Sequence, residues 1–102
     1  MNYLSSLQRN YLRSLAHHLE PVVLIGKNGV TNGAIETVQQ VLDTRELIKI
    51  KFREFKDKKK SLSKQIAELT SSEVVGIIGN TAILFRQNAD PERQNIQLPG
   101  LK

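Results

Sequence analysis

The stretch VVLIGKNGVT, residues 22–31, decides the fold of this chain. A short apolar run, Val22–Ile25, leads into the turn Gly26-Lys27-Asn28-Gly29, and Thr31 follows where a helix should begin. Threonine is a good N-cap residue, because its side-chain oxygen accepts a hydrogen bond from a free N–H of the first helical turn. The stretch therefore predicts a buried strand, a tight glycine turn and a helix N-terminus, in that order.

An amphipathic helix is predicted before this strand, over residues 5–18. Its expected buried stripe consists of Leu7, Leu12, Leu15 and Leu19. Ser5 or Ser6 can cap the helix, and Pro21 ends it because proline disfavours the α-region for the residue before it. The first 19 residues contain arginine and serine but no acid, as transit peptides do. Their helical spacing favours the first helix of the domain instead.

Four more elements are predicted after Thr31. A second helix is expected over residues 32–44, and residues 47–53 alternate between apolar and basic residues, as in a half-buried strand. Ser61 or Ser63 can cap a third helix, with Leu62, Ile66 and Leu69 on its buried side. Residues 73–78 and 82–86 are predicted as two strands joined by a turn at Gly79-Asn80.

This order of elements predicts a small α/β (α+β) domain with two layers. An N-terminal helix is followed by strand, helix, strand, helix, strand and strand, so helices should pack on a mixed four-stranded sheet. The first two strands should be parallel, because a helix connects them. We assign the domain to residues 1–86 and expect residues 87–102 to be a loosely held polar tail. Ile96 and Leu98 are its candidates for docking on the body.

The net charge of the chain is concentrated in its first part. Residues 1–60 hold 11 Lys and Arg against 6 Asp and Glu, and residues 61–102 hold 4 against 4, so the net charge of +5 comes entirely from the first part. An uneven basic surface on a small domain favours a polyanionic partner. The chain has no cysteine, which excludes disulfides, thiolate metal sites and cysteine nucleophiles. We expect a cytoplasmic protein with no membrane partner.

The turn Gly26-Lys27-Asn28-Gly29 has two interpretations, which its local chemistry leaves balanced. Glycine and asparagine are common turn formers, so this can be a plain connection. The glycines and the basic residue between them, set before a helix N-terminus, also suit a nucleic-acid phosphate. The other match to this pattern, Gly76-Ile-Ile-Gly79, has an apolar middle and is predicted to be structural.

Two rows of basic residues accompany the turn. Arg9, Arg13 and His17 fall at neighbouring angles of the first helix, and we expect them to face solvent, opposite the buried leucines. Lys49, Lys51 and Arg53 share one face of the second strand. Such rows can bind a polyanion, but the helical row can equally be a solvated surface, and lysines on a strand can protect a sheet edge from aggregation.

No arrangement of residues for catalysis is apparent. There is no nucleophile with a base, no cluster with metal-ligand spacing and no carboxylate pair, so we expect no enzyme activity, metal, cofactor or small-molecule substrate. Asp43 and Glu46 flank the end of the second helix and are expected to be ordinary surface acids. The five aromatic residues do not form the paired motif of an RNA-recognition sheet, so base stacking is not expected as the main mode of binding.

Residues 11–31 closely resemble the start of a CRM (chloroplast RNA splicing and ribosome maturation) domain. The segments Glu46-Leu-Ile-Lys-Ile-Lys51 and Val75–Arg86 are similar to the second and last strand regions of that domain. The resemblance covers roughly residues 4–86, and the single-domain form looks like the bacterial YhbY-like type. It implies RNA binding and a fold similar to the C-terminal domain of translation initiation factor three, with an added N-terminal helix.

The resemblance also implies which residues bind RNA. The GxxG loop of the family, thought to work like that of KH domains, falls on Gly26, Lys27, Asn28 and Gly29. Bacterial members associate with precursors of the large ribosomal subunit, and plant members serve group II intron splicing. We therefore expect a monomer that binds ribosomal RNA through this loop, Thr31 and the two basic rows: Arg9, Arg13 and His17, then Lys49, Lys51 and Arg53. The alternative is a protein-interaction module that docks on a ribosomal protein or an assembly factor.

Overall fold

The computed structural model describes residues 4–100 and confirms the predicted order of elements. The helices are α1 (Ser6–Ala16), α2 (Asn32–Arg45) and α3 (Lys59–Leu69), and the strands are β1 (Pro21–Ile25), β2 (Leu47–Phe52), β3 (Glu73–Ile78) and β4 (Thr81–Phe85). Short 3-10 turns occupy Lys56–Lys58 and Pro91–Arg93. None of the helices within these residues is long and apolar enough to cross a membrane.

The four strands form one mixed sheet in the order β1-β2-β4-β3. Strand β1 is parallel to β2, whereas β4 is antiparallel to both β2 and β3. Strand β2 thus lies inside the sheet, with a hydrogen-bonded neighbour on each side. The interpretation of Lys49, Lys51 and Arg53 as the protective lysines and arginine of an edge strand is therefore wrong.

The two faces of the sheet carry separate apolar cores. Helices α2 and α3 cover one face, where they pack on Ile48, Ile50 and Phe52 of β2. Helix α1 covers the other face, where Leu12 and Ala16 pack against four sheet residues: Leu47, Val75, Ile83 and Phe85. Because side chains alternate along a strand, Lys49 and Lys51 share the α1 face with Leu47.

Helix α1 is rotated relative to the orientation predicted from its leucines. Leu12 and Ala16 are fully buried, whereas Leu7 is 61% exposed and Leu15 is 37% exposed. The helix covers only part of one sheet face, so it buries a narrow stripe instead of a broad leucine face. Arg9 lies about 60° around the helix from Leu12, beside that stripe. The sequence predicts that the arginines of α1 face away from the core. In the structure they do not.

Side-chain caps explain where the first two helices begin. Ser5 and Gln8 form a reciprocal capping box at α1, and Thr31 Oγ1 accepts a hydrogen bond from the Ala34 N–H at 3.0 Å. Helix α3 begins at Lys59 without a side-chain cap, so the predicted cap at Ser61 or Ser63 is wrong. A 3-10 turn leads directly into α3, and Ser63 is buried within the helix.

The polar segment after β4 is held against the body of the domain. Ile96 and Leu98 pack against the α1 core, together with Leu4 and Leu19. Glu46, expected to be a surface acid, is fully buried and accepts hydrogen bonds from the backbone of this segment. Ile96 and Leu98 thus dock on the body as expected, and the expectation of a loosely held tail is wrong where these side chains and Glu46 anchor it.

The continuous apolar run predicts that strand β1 is buried on both faces. In the structure only one of its faces is buried. Val23 and Ile25 face the α2 and α3 core, but Leu24 is 48% exposed. Strand β1 lies at the edge of the sheet, and α1 does not extend over Leu24. The open sheet surface beside β1 is next to Lys51, which pairs with Leu24.

Candidate nucleic-acid interface

The Gly26–Gly29 turn leaves the carboxyl end of β1 and turns back on itself. The Gly29 N–H donates to Gly26 O at 2.9 Å, and Gly29 has a φ of +69°. Left-handed backbone explains the glycine at this position, because other L-residues adopt it only at a cost. Gly26 has no such requirement, and an ideal Cβ there would have no atom within 4 Å. The space beside Gly26 is open to a ligand.

Two hydrogen bonds fix the end of β2 beside this turn. The N–H groups of Arg53 and Glu54 both donate to Ile25 O, at 2.9 and 3.2 Å. Because β1 and β2 are parallel and Ile25 pairs with Phe52, both strands end at the same edge of the sheet. Lys27 and Arg53 therefore follow neighbouring strand ends, and both residues are exposed.

The N-terminus of α2 opens beside the same turn. Thr31 Oγ1 satisfies the Ala34 N–H, and the Thr31 carbonyl accepts from the Ile35 N–H at 3.1 Å. The N–H groups of the first residues in a helix, here Asn32 and Gly33, have no partner within the helix. They add a partial positive charge where an anion would lie.

Two residues of each predicted basic row meet in one open groove on the α1 face of the sheet. Arg13 and His17 come from α1 and Lys49 and Lys51 from β2, and together they line a space of about 370 Å³. Lys49 Nζ lies 3.5 Å from His17 O, which joins the end of α1 to β2. Glu20 also lines the groove and offsets part of its positive charge. These four residues, separate in the sequence, thus form one cationic surface.

Arg13 crosses the sheet over Gly76. An ideal Cβ on Gly76 would lie 3.0 Å from Arg13 Cδ, so the missing side chain makes room for the arginine stem. This explains Gly76 structurally, as predicted for the second glycine pair. Arg13 is half-buried and bonds Asn10 within its own helix, contrary to the expectation of a fully solvated side chain.

Arg9 belongs to a different surface. Its Nη1 donates to Val74 O at 3.0 Å, and its Nη2 lies 3.9 Å from Glu73 Oε2. With Lys60 and Lys64 of α3 it flanks a groove of about 430 Å³ along the outer strand, β3. The structure therefore separates Arg9 from Arg13 and His17. The angular positions of residues around an isolated helix did not predict this contact of Arg9 with β3.

Two residues beside Arg9 and one beside the glycine turn were not predicted from the sequence to be binding residues. Lys60 and Lys64 are four residues apart on α3, and that spacing is a signal that pattern analysis can find. Phe55 is different. Its ring lies against Gly29, and only the fold brings these two residues together.

Comparisons with known proteins extend over nearly the whole chain. The profile of the CRS1 / YhbY (CRM) domain matches residues 4–86. A Haemophilus influenzae protein named "RNA-binding protein" is 37% identical over 100 residues, which cover 97% of this chain and 98% of that protein. The Bacillus subtilis "Probable RNA-binding protein YqeI" is 34% identical over 97 residues, covering 94% and 99% of the two chains.

A solved structure is similar over the same span. The solution structure of SAV1595 from Staphylococcus aureus matches with a TM-score of 0.80 and 37% identity, covering 95% of this chain and 100% of that one. The fold and the family resemblance predicted from the sequence are both confirmed by these similarities.

Proposed function

Because the chain belongs to the CRS1 / YhbY (CRM) domain family, we propose that it binds ribosomal RNA in precursors of the large ribosomal subunit and assists their assembly. This is a non-catalytic role in the cytoplasm. Relatives named as RNA-binding proteins support RNA as the partner. The resemblance to bacterial single-domain members supports the ribosomal precursor as the source of that RNA.

One observation carries the proposal: the lysines of β2 that line the cationic groove lie on the strand whose carboxyl end is beside the glycine turn. Arg13, His17, Lys49 and Lys51 line the groove on the α1 face. Lys51 pairs with Leu24, two residues before Gly26, and Arg53 follows β2 at the same sheet edge. Residues two apart in a strand are about 6.7 Å apart, so Lys49 and Lys51 are evenly spaced along β2 toward the strand end that lies beside the turn.

The chemistry of this surface suits RNA backbone more than bases. Lysine ammonium groups are point charges that attract phosphates without reading sequence. Gly26 leaves room for a close approach, and the N-terminus of α2 supplies free N–H groups to a phosphate. Such a surface binds structured RNA by its shape and charge, with a strong dependence on salt.

A protein-interaction module remains the second candidate, favoured by the outer edge of β3. Strand β3 has one free edge in the sheet, and Arg9, Lys60 and Lys64 flank the groove along it. A free strand edge can pair with an extended segment of another protein. Digesting the RNA during capture from a cell extract separates the two candidates, because a protein partner would stay bound and ribosomal RNA would be lost.

The decisive test changes the turn without removing its glycines. Replacing Lys27 and Asn28 by Asp places two negative charges where phosphate should lie, while acids near a helix N-terminus stabilise by about 0.3–1 kcal/mol. We expect unchanged or slightly raised thermal stability and strongly reduced affinity for large-subunit ribosomal RNA. A folded double variant with wild-type affinity would refute binding at this turn.

A control variant separates local from overall charge effects. Replacing Arg93 and Gln97 by Asp gives the same change in charge on the exposed tail, which Glu46 holds beside the other end of β2. We expect this control to lose little affinity. Crosslinking the protein to RNA in cells and sequencing the fragments would then identify the RNA site, and fragments lacking ribosomal RNA would contradict the proposal.

A further inference from the structure

Phe55 has a backbone conformation that its side chain disfavours. Its φ is +57° and its ψ is +36°, in the left-handed region. For a bulky residue without special hydrogen bonding this conformation is unusual, and it persists where the surrounding structure or a function requires it. Glycine or asparagine would fit here more easily. The phenylalanine side chain therefore needs an explanation.

Hydrogen bonds on both sides hold Phe55 in this conformation. The preceding Glu54 N–H donates to Ile25 O at 3.2 Å, and the Lys58 N–H donates to Phe55 O at 2.9 Å. The ring comes to rest beside the glycine turn, where its Cε2 would lie 3.5 Å from a Cβ on Gly29. The segment thus places the aromatic ring next to the proposed phosphate site.

The ring is exposed, and charged residues flank it in the sequence. Phe52 and Phe85 are buried in the two cores, whereas Phe55 is 38% exposed. Within three residues of Phe55 the exposed cations are Arg53, Lys56 and Lys58, and the exposed acids are Glu54 and Asp57. An exposed aromatic ring beside a proposed site for phosphate matches the way single-stranded nucleic acid is bound: bases stack on rings while cations track the backbone.

We propose that Phe55 stacks on one unpaired base of the RNA whose backbone lies on the Gly26–Gly29 turn. This inference rests on the proposed function and adds a preference to it. A base inside a duplex is not accessible to the ring, so the protein should favour RNA with a single-stranded or bulged nucleotide at this point. Every base has a π-face, so the contact tolerates any sequence.

A tryptophan at position 55 gives a direct optical test. The natural chain contains no tryptophan, so Phe55→Trp creates a single fluorophore at the proposed contact. We expect its emission to be quenched by a single-stranded oligouridylate of eight nucleotides, and much less by an RNA duplex or by heparin. Tyr11→Trp is the matched control, because Tyr11 is similarly exposed on α1. Equal quenching by heparin and the single strand at position 55 would overturn stacking.

A second variant separates stacking from packing against Gly29. Phe55→Leu keeps an apolar side chain beside Gly29 but removes the π-face. We expect its affinity for the single strand to fall about five- to 150-fold, as for loss of one stacked base, while duplex affinity changes less than twofold. Phe55→Tyr should restore the single-strand affinity.

The same titrations distinguish failure of this inference from failure of the proposed function. If Phe55→Leu binds single strands as wild type does, while the Lys27→Asp, Asn28→Asp variant loses both RNAs, stacking is refuted and the proposed function stands. If the double Asp variant binds both RNAs normally, binding at the turn is refuted, and stacking beside it loses its premise. If the unaltered protein binds neither RNA, the proposed function itself fails. If Phe55→Leu does not fold, the quenching of Phe55→Trp decides the question.

Discussion

The buried carboxylate of Glu46 accepts a hydrogen bond from the backbone N–H of Asn95 at 2.7 Å, although 49 residues separate the two in sequence. The same side chain accepts from the Asn88 N–H at 2.6 Å and the Ile96 N–H at 3.0 Å. Glu46 is fully buried and has a φ of +52°, which turns the chain sharply from α2 into β2. One residue therefore ends a helix and anchors the C-terminal segment.

Glu46→Gln should loosen the C-terminal segment. The amide NH₂ would face backbone N–H groups that now donate to a carboxylate, and hydrogen bonds to charged groups contribute about 1.5–3 kcal/mol each. We expect a loss of about 1–3 kcal/mol in the free energy of unfolding, measured by urea denaturation, and faster hydrogen exchange at Asn88, Asn95 and Ile96. Glu68→Gln, at an exposed position on α3, is the control. Equal stability of the two variants would contradict the anchoring role.

Arg9→Ala should destabilise the fold, contrary to the expectation for a solvent-facing arginine. Glu73 is buried, and within residues 4–100 neither of its carboxylate oxygens has a hydrogen-bond partner. Arg9, with its Nη2 3.9 Å away, supplies the compensating charge. Its loss should cost about 1–3 kcal/mol in thermal or urea unfolding.

Two further variants test this account of Arg9. Adding Glu73→Gln to Arg9→Ala should recover part of the lost stability, because the uncompensated charge is removed. Within residues 4–100, Arg13 has no such buried partner, so Arg13→Ala should lower the melting temperature less than Arg9→Ala. It should still reduce RNA affinity, because it removes a cation from the groove. The ion-pair account fails if Arg9→Ala is no less stable than Arg13→Ala.

RNA affinity should depend strongly on salt. Each phosphate contacted contributes about −0.7 to −0.9 to the slope of log affinity against log salt concentration. With about three to six contacts, we expect a slope of about −2 to −5 for ribosomal RNA, and Lys51→Ala should reduce its magnitude by about one contact. Titrations at several salt concentrations measure both slopes. An affinity independent of salt would exclude binding through the backbone.

Features set by local chemistry could be predicted from the sequence. Ser5 and Thr31 cap their helices because the hydroxyl acceptor and the N–H donor lie within three residues of each other. The strand bounds and the turn at Gly79-Asn80 followed from periodicity and turn chemistry for the same reason. These interactions do not depend on how the elements pack, so a single sequence is sufficient to predict them.

Features set by packing could not be predicted in this way. Periodicity gave the leucines of α1 equal weight, but the packing of Leu12 and Ala16 on the sheet and of the Arg13 stem over Gly76 sets the rotation of the helix. The order of the strands, with β2 between β1 and β4, could not be predicted from the sequence. It was therefore not possible to predict that the lysines of β2 share a groove with Arg13. The anchoring of residues 88–96 by Glu46 depends on contacts more than 40 residues apart.

The two glycines of the turn should respond differently to the same substitution. Gly26→Ala meets no atom within 4 Å and needs no left-handed backbone, so stability should change by less than about 0.5 kcal/mol. Gly29→Ala should cost about 1–2 kcal/mol, because its φ is +69°. If phosphate approaches the open side of Gly26, Gly26→Ala should weaken RNA binding while the protein stays folded. Thermal melts and RNA titrations on both variants measure this difference, and wild-type affinity of Gly26→Ala would mean that no phosphate approaches the open side of Gly26.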